Sequence, residues 1–245
     1  MRLFELILLG LPSTISAAYL PYYFEAIFAQ SPSASVGFRI PTVHESAVQA
    51  RRILHLSSIG TLSTVFPSDA GARPEVTENR PHGLGGVPIG LMDYFADCEP
   101  STGNPTILAL DIATSFKNVA AGSNISLELR WQPPNTRTYS AAAMPRFSLL
   151  GKLEQIDADD VEDEELAECF VDYHPDAVAW LPGNRIHVSR WTRLVVEEIY
   201  WIGGFGDRAY IGWIPAEDWR NVTKKEVESI RLPGEKLQET RAWSW

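Results

Sequence analysis

Six or seven short β-rich runs, several of them bounded by Gly, Pro or Asn, are spread along the 245-residue chain. Residues 61–66 alternate in polarity, 87–95 form a second run, and 106–113 and 124–131 are strongly apolar. Residues 146–156 form a longer run with a bend at Gly151. Residues 193–202 lead through Gly203-Gly204-Phe205-Gly206 into a return strand over 209–214. Glycines at such a turn allow the positive φ that other residues resist. Many short strands with turn residues between them, and helices between and beside them, suit a closed β-barrel with added helices.

Helix signals are fewer. Thr42-Val43-His44-Glu45 is a capping box, and Val43, Ala47, Ala50 and Leu54 recur at helical spacing, which predicts a helix over 43–57 ended by Gly60. Pro215 opens a short helix before Trp219. Residues 157–168 carry eight acidic side chains, with Leu166, Ala167, Phe170 and Val171 as an apolar face, so they read as a helix terminated by Pro175. The Asp/Asn-Gly spacing of a calcium loop is missing there, which favours a solvated helix face over an ion site. The formal charge is −10; removing those eight acidic charges leaves only −2 on the rest. A chain of this sign is repelled by phosphate backbones, so a nucleic-acid partner is excluded.

Met1 and Arg2 precede an apolar run over 3–11, followed by Pro12 and the small residues Ser16-Ala17-Ala18. This is the pattern of a secretory signal peptide cut after Ala18, and the run is too short to span a bilayer. Asn124-Ile125-Ser126 and Asn221-Val222-Thr223 are glycosylation sequons, with Asn124 and Asn221 as acceptors. In that compartment Cys98 and Cys169 form either one disulfide or two buried thiols. The expected organisation is a leader over 1–18, an arm over 19–41, one barrel domain over 42–223 and a tail over 224–245 containing Trp243 and Trp245.

Catalytic signatures are missing. The sequence has no HExxH, CxxC, GxSxG or phosphate-binding Walker loop, and its five histidines are scattered without metal-ligand spacing. The GGFG turn is not followed by a helix in the dinucleotide-binding manner.

Three segments in order resemble the FMN-binding split-barrel (pyridoxamine 5'-phosphate oxidase-like) superfamily. They are Ala50-Arg51-Arg52-Ile53-Leu54-His55 with Gly60-Thr61-Leu62-Ser63-Thr64; Gly86-Val87-Pro88 with Asn104-Pro105-Thr106-Ile107-Leu108; and residues 146–153, His174-Pro175-Asp176-Ala177, 199–206 and 214–223. Within the superfamily the set is similar to the CREG branch. The resemblance implies a mainly β fold with added helices (α+β), a six- to seven-stranded antiparallel split β-barrel. It also implies a secreted or endolysosomal, glycosylated homodimer that acts without catalysis, through an unidentified protein partner or small molecule. In flavin-binding relatives, Arg, Lys and hydroxyl side chains grip the FMN phosphate. The corresponding stretch here offers Arg80, Ser115 and Lys117, with Thr114 beside them, while the strand over 87–95 carries Asp93 and no base. The expectation is therefore no bound FMN. An FMN-dependent oxidoreductase holding the cofactor on Arg80, Ser115 and Lys117 is the alternative, and haem binding is the third reading.

Overall fold

The computed structural model describes residues 39–68, 80–134, 140–157 and 163–235. The leader, the arm up to residue 38, and the tail from 236 with Trp243 and Trp245 lie outside the described residues. Helix α1 (Val43–Leu56) opens with the expected capping box: Thr42 Oγ1 accepts from the Glu45 N–H, and the Glu45 carboxylate accepts from the Thr42 N–H at 2.8 Å. Its apolar stripe, Ala47, Ala50, Ile53 and Leu54, is buried. The helix ends at Leu56, with Ser57 as its cap, and Gly60 lies inside the next strand rather than stopping the helix.

Seven antiparallel strands form one sheet. They are β1 (Ile59–Val65), β2 (Pro88–Tyr94), β3 (Thr106–Leu110), β4 (Ile125–Arg130), β5 (Arg146–Gln155), β6 (Ser189–Ile202) and β7 (Ile211–Ile214). The order is β2-β1-β4-β5-β6-β3, and β7 also pairs with β6. The fourteen-residue β6 serves both last partners: its first residues pair β3 and its last pair β7. The outer strands β2 and β3 meet only through the bridge Ala96↔Thr106 just beyond β2. The expected closed barrel is thus a split one: the sheet curls around its core without pairing edge to edge.

Strand β5 shifts register at Leu150/Gly151. A Cβ on Gly151 would sit 1.9 Å from the Val195 carbonyl oxygen, so the bulge needs glycine for the close approach. In the turn after β6, Gly204 adopts φ 141°, as the sequence predicts for this turn.

Short helices cap the barrel. These are α2 (Thr114–Ala120), α3 (Asp163–Tyr173), α4 (Ala216–Arg220) and α5 (Lys224–Ser229), together with a 3-10 turn at Pro175–Trp180. The run predicted to be strand through 113 stops at Leu110, and α2 follows it; its seven residues are too few for a periodic signal. The acidic helix continues to Tyr173, while residues 158–162 lie outside the described residues.

Two apolar clusters fill the structure. The larger lies between α1 and the inner face of the sheet, and Val227 and Leu232 extend it past residue 223. The smaller gathers Leu108, Phe170 and Trp191 beneath α3. Cys98 and Cys169 are disulfide-bonded with Cα atoms 5.9 Å apart, tying α3 to the segment after β2. Two buried cations on α1 staple distant parts of the chain. Arg51 lies over the Trp219 ring and donates to the Trp219 and Pro100 carbonyls, and burial lowers its pKa. Arg52 donates to the Val227 carbonyl and pairs with Glu235.

Candidate functional site

The alternation of β1 sends Gly60, Leu62 and Thr64 inward and Ile59, Thr61 and Ser63 outward. Register then aligns a row of outward side chains straight across the sheet: Met92, Thr61, Glu128, Ser148, Tyr200 and Trp213 occupy directly opposed positions on β2, β1, β4, β5, β6 and β7. A second row on the same face opposes Arg130, Arg146, Ile202 and Ile211.

This outer face is partly apolar and open. Met92 is 63% exposed, Trp213 53% and Tyr200 37%, and Ile59 and Ile211 are also exposed. The rings of Tyr200 and Trp213 lie 5.1 Å apart. Across the face runs a groove of about 800 Å³, floored by the ends of β4 and β6 and the start of β5 and walled by the α1–β1 connection. Trp131 lines it and fixes its own ring by donating from Nε1 to the Pro233 carbonyl at 2.7 Å.

Glu128 is the one carboxylate lining the groove among the described residues. It accepts from the hydroxyls of Ser63 at 2.7 Å, Ser126 at 2.6 Å and Ser148 at 3.2 Å, three side chains from three strands. These bonds hold its charge in place on the sheet. Nothing in the sequence singles out Glu128: its three partners lie up to 65 residues away.

The residues expected to grip a phosphate lie elsewhere. Ser115 is only 2% exposed, on the buried side of α2. Arg80 donates to the Pro67 carbonyl at 2.7 Å and lies over the Phe66 ring. Lys117 is half-buried on α2, which packs against the far end of β1, where Asn118 donates to Thr64. None of the three lines the groove. Ser115 is buried and β2 carries no basic residue, whereas a flavin phosphate, a dianion, must be paired when it is taken out of water.

Three of the five histidines are tied into the structure. His174 stacks on Tyr94 with ring centroids 4.0 Å apart and bonds to the Phe95 carbonyl at 2.9 Å. His55 meets Asp97, and His44 bridges to Glu226 on α5. That contact, with help from the Thr223 cap, lowers the Glu226 pKa to about 2. No histidine lines the groove, and among the described residues no group of three or more His, Cys, Asp or Glu is placed to hold a metal ion. The two sequon acceptors, Asn124 before β4 and Asn221 after α4, are both exposed.

Residues 41–221 match the family model described as CREG, beta-barrel. No curated protein sequence matches the chain. Among solved structures, a heme binding protein from Mycobacterium smegmatis superposes with a TM-score of 0.52 at 19% identity, over 74% of this chain and 61% of that one. The protein Atu2129 from Agrobacterium tumefaciens gives 0.48 at 21% identity, over 71% and 63%. A putative pyridoxamine 5'-phosphate oxidase from Listeria innocua gives 0.40 at 12% identity, over 65% and 98%. The chain therefore spans less than two thirds of the first two proteins' length. At 19% identity the likeness to the first of these is one of fold.

Proposed function

The chain belongs to the CREG β-barrel family, and from that premise we propose that it is a glycoprotein of the secretory or endolysosomal route that works by binding, as a homodimer, and not as a flavin enzyme. The observation that carries this reading is the outer face of the sheet. Met92, Tyr200, Ile211 and Trp213 share one face and are exposed together. Tyr200, Ile211 and Trp213 adjoin on β6 and β7, with Met92 across the polar middle of the same face, and exposed apolar surface of this kind marks an interaction surface, because water gains when it is covered. A second copy laid on this face would bury the patch symmetrically and wall the groove.

Three further features support the compartment: a signal-like start, two exposed sequon asparagines and the Cys98–Cys169 bond. The flavin and haem readings receive less support, since neither the expected phosphate-binding side chains nor any histidine faces the groove. No helix among the described residues is long and apolar enough to cross a membrane.

Expression in a secreting eukaryotic cell, followed by sedimentation of the purified glycoprotein, tests the reading. The expected result is secreted material that sediments as a dimer, is colourless, loses mass with a glycosidase, and becomes monomeric in Trp213→Glu. A monomeric wild-type protein, or a flavin or Soret band that co-purifies in equal proportion to the chain, would overturn it.

A further inference from the structure

Arg130 and Arg146 are directly opposed across β4 and β5, on the same face of the sheet, and both line the groove. Directly opposed side chains stand about 5 Å apart at Cβ, and two like charges there destabilise the pairing. Neither guanidinium has a carboxylate partner among the described residues. Arg146 Nη1 reaches the Ala142 carbonyl at 3.4 Å. Arg130 donates from Nη2 and Nε to the side-chain oxygen of Gln132, at 2.8 and 2.7 Å, once that amide is turned to satisfy its neighbours. Both partners are neutral, so they position the cations without cancelling their charge. The nearby carboxylate, Glu128, takes its hydrogen bonds from three serines and makes no ion pair with either arginine.

A chain with a net charge of −10 thus holds two cations without ion-pair partners side by side in a groove lined also by Tyr200. We propose that the Arg130–Arg146 pair is the recognition element for a small organic anion, with an acidic head (carboxylate or phosphate) on the two guanidinium forks and an apolar or aromatic body against the outward side chains of Tyr200 and Ile202, which line the same groove. The groove volume of about 800 Å³ suits a small molecule. Planar guanidinium forks match the paired oxygens of such a head. The anion would relieve the repulsion that the register imposes. This goes beyond the binding role proposed above, and it holds whether or not a second copy covers the face.

Phenyl phosphate, benzoate and phenol serve as probes, read by tryptophan fluorescence and thermal unfolding of the full-length protein. Phenyl phosphate or benzoate should bind and raise the melting temperature, while phenol, with the same ring and no acidic head, should do neither. Whichever head binds more tightly identifies the acid. Arg130→Gln and Arg146→Gln should each weaken the acidic probe about tenfold or more. Arg146→Lys should weaken it by less, since the charge stays and the fork is lost. Without ligand, each glutamine variant should melt no lower than the wild type, because a repulsion has been removed. No saturable binding of either acid up to about 10 mM, a limit near the weakest useful affinity, would overturn the proposal. Equal binding of phenol, or affinities untouched by the arginine variants, would also overturn it. Sedimentation of the same samples reports the dimer separately, so failure of one reading is distinguishable from failure of the other.

Discussion

His55 Nδ1 lies 3.2 Å from Asp97 Oδ2, and both side chains are buried. His55 sits in the last turn of α1 and Asp97 in the segment after β2, so the contact ties the helix to the edge of the sheet. Tyr173, from α3, adds its hydroxyl to the His55 carbonyl at 3.1 Å. Asp97 also faces Arg51, and its charge favours the protonated guanidinium against burial. Asp97→Asn keeps the shape and removes the charge that both groups use. Breaking a buried pair in this way costs about 3 kcal/mol, and equilibrium urea unfolding at neutral pH measures it.

The Cys98–Cys169 bond closes a loop with a sequence separation of 71 residues. The chain-entropy account assigns a loop of that length about 4 kcal/mol of stabilisation, acting on the unfolded chain. Cys98→Ala/Cys169→Ala should therefore lower the urea midpoint by an amount equivalent to about 4 kcal/mol. The same change should appear when the wild type is unfolded in reductant.

Asp93 follows a different logic. Burial raises its pKa to about 6, against a partial offset from the Tyr94 N–H at 2.8 Å. The native state therefore holds a proton between about pH 4 and 6 that the unfolded chain has released. The contribution of Asp93 to stability falls as pH rises through that window and levels off above it. Asp93→Asn should flatten the profile between pH 4 and 7 and stabilise the protein at pH 7 by up to about 2 kcal/mol. Thermal unfolding in a pH series decides this.

Gly151→Ala places a Cβ within 1.9 Å of the Val195 carbonyl oxygen, a backbone atom that cannot swing aside. The two central strands of the sheet must separate or the bulge must move. A loss of about 3 kcal/mol is expected, read as a lower urea midpoint, while Gly206→Ala, whose Cβ would meet only the Ile211 side chain at 3.5 Å, serves as the comparison.

The sequence by itself determined the features that short-range chemistry controls. The Thr42–Glu45 capping box, the bend at Gly151, the turn after Ile202 and the positions of the seven strands follow from residues within a few positions of one another. So does the family resemblance, which rests on ordered local segments. Element ends shifted by a few residues, as at Gly60 and Leu110, because tertiary pairing sets where a strand stops. The candidate site was not legible, because every part of it is a relation across strands. Arg130 opposes Arg146, and Glu128 gathers Ser63, Ser126 and Ser148, only after the sheet has chosen its register. A shift of one residue would send the whole set to the other face. Likewise, Ser115 reads as a phosphate ligand by position, yet the packing of α2 buries it. Tertiary structure decided these points because the burial of distant apolar residues, Leu62, Leu127, Leu149 and Ile199 on the inner face, outweighs any local preference for where a polar side chain points.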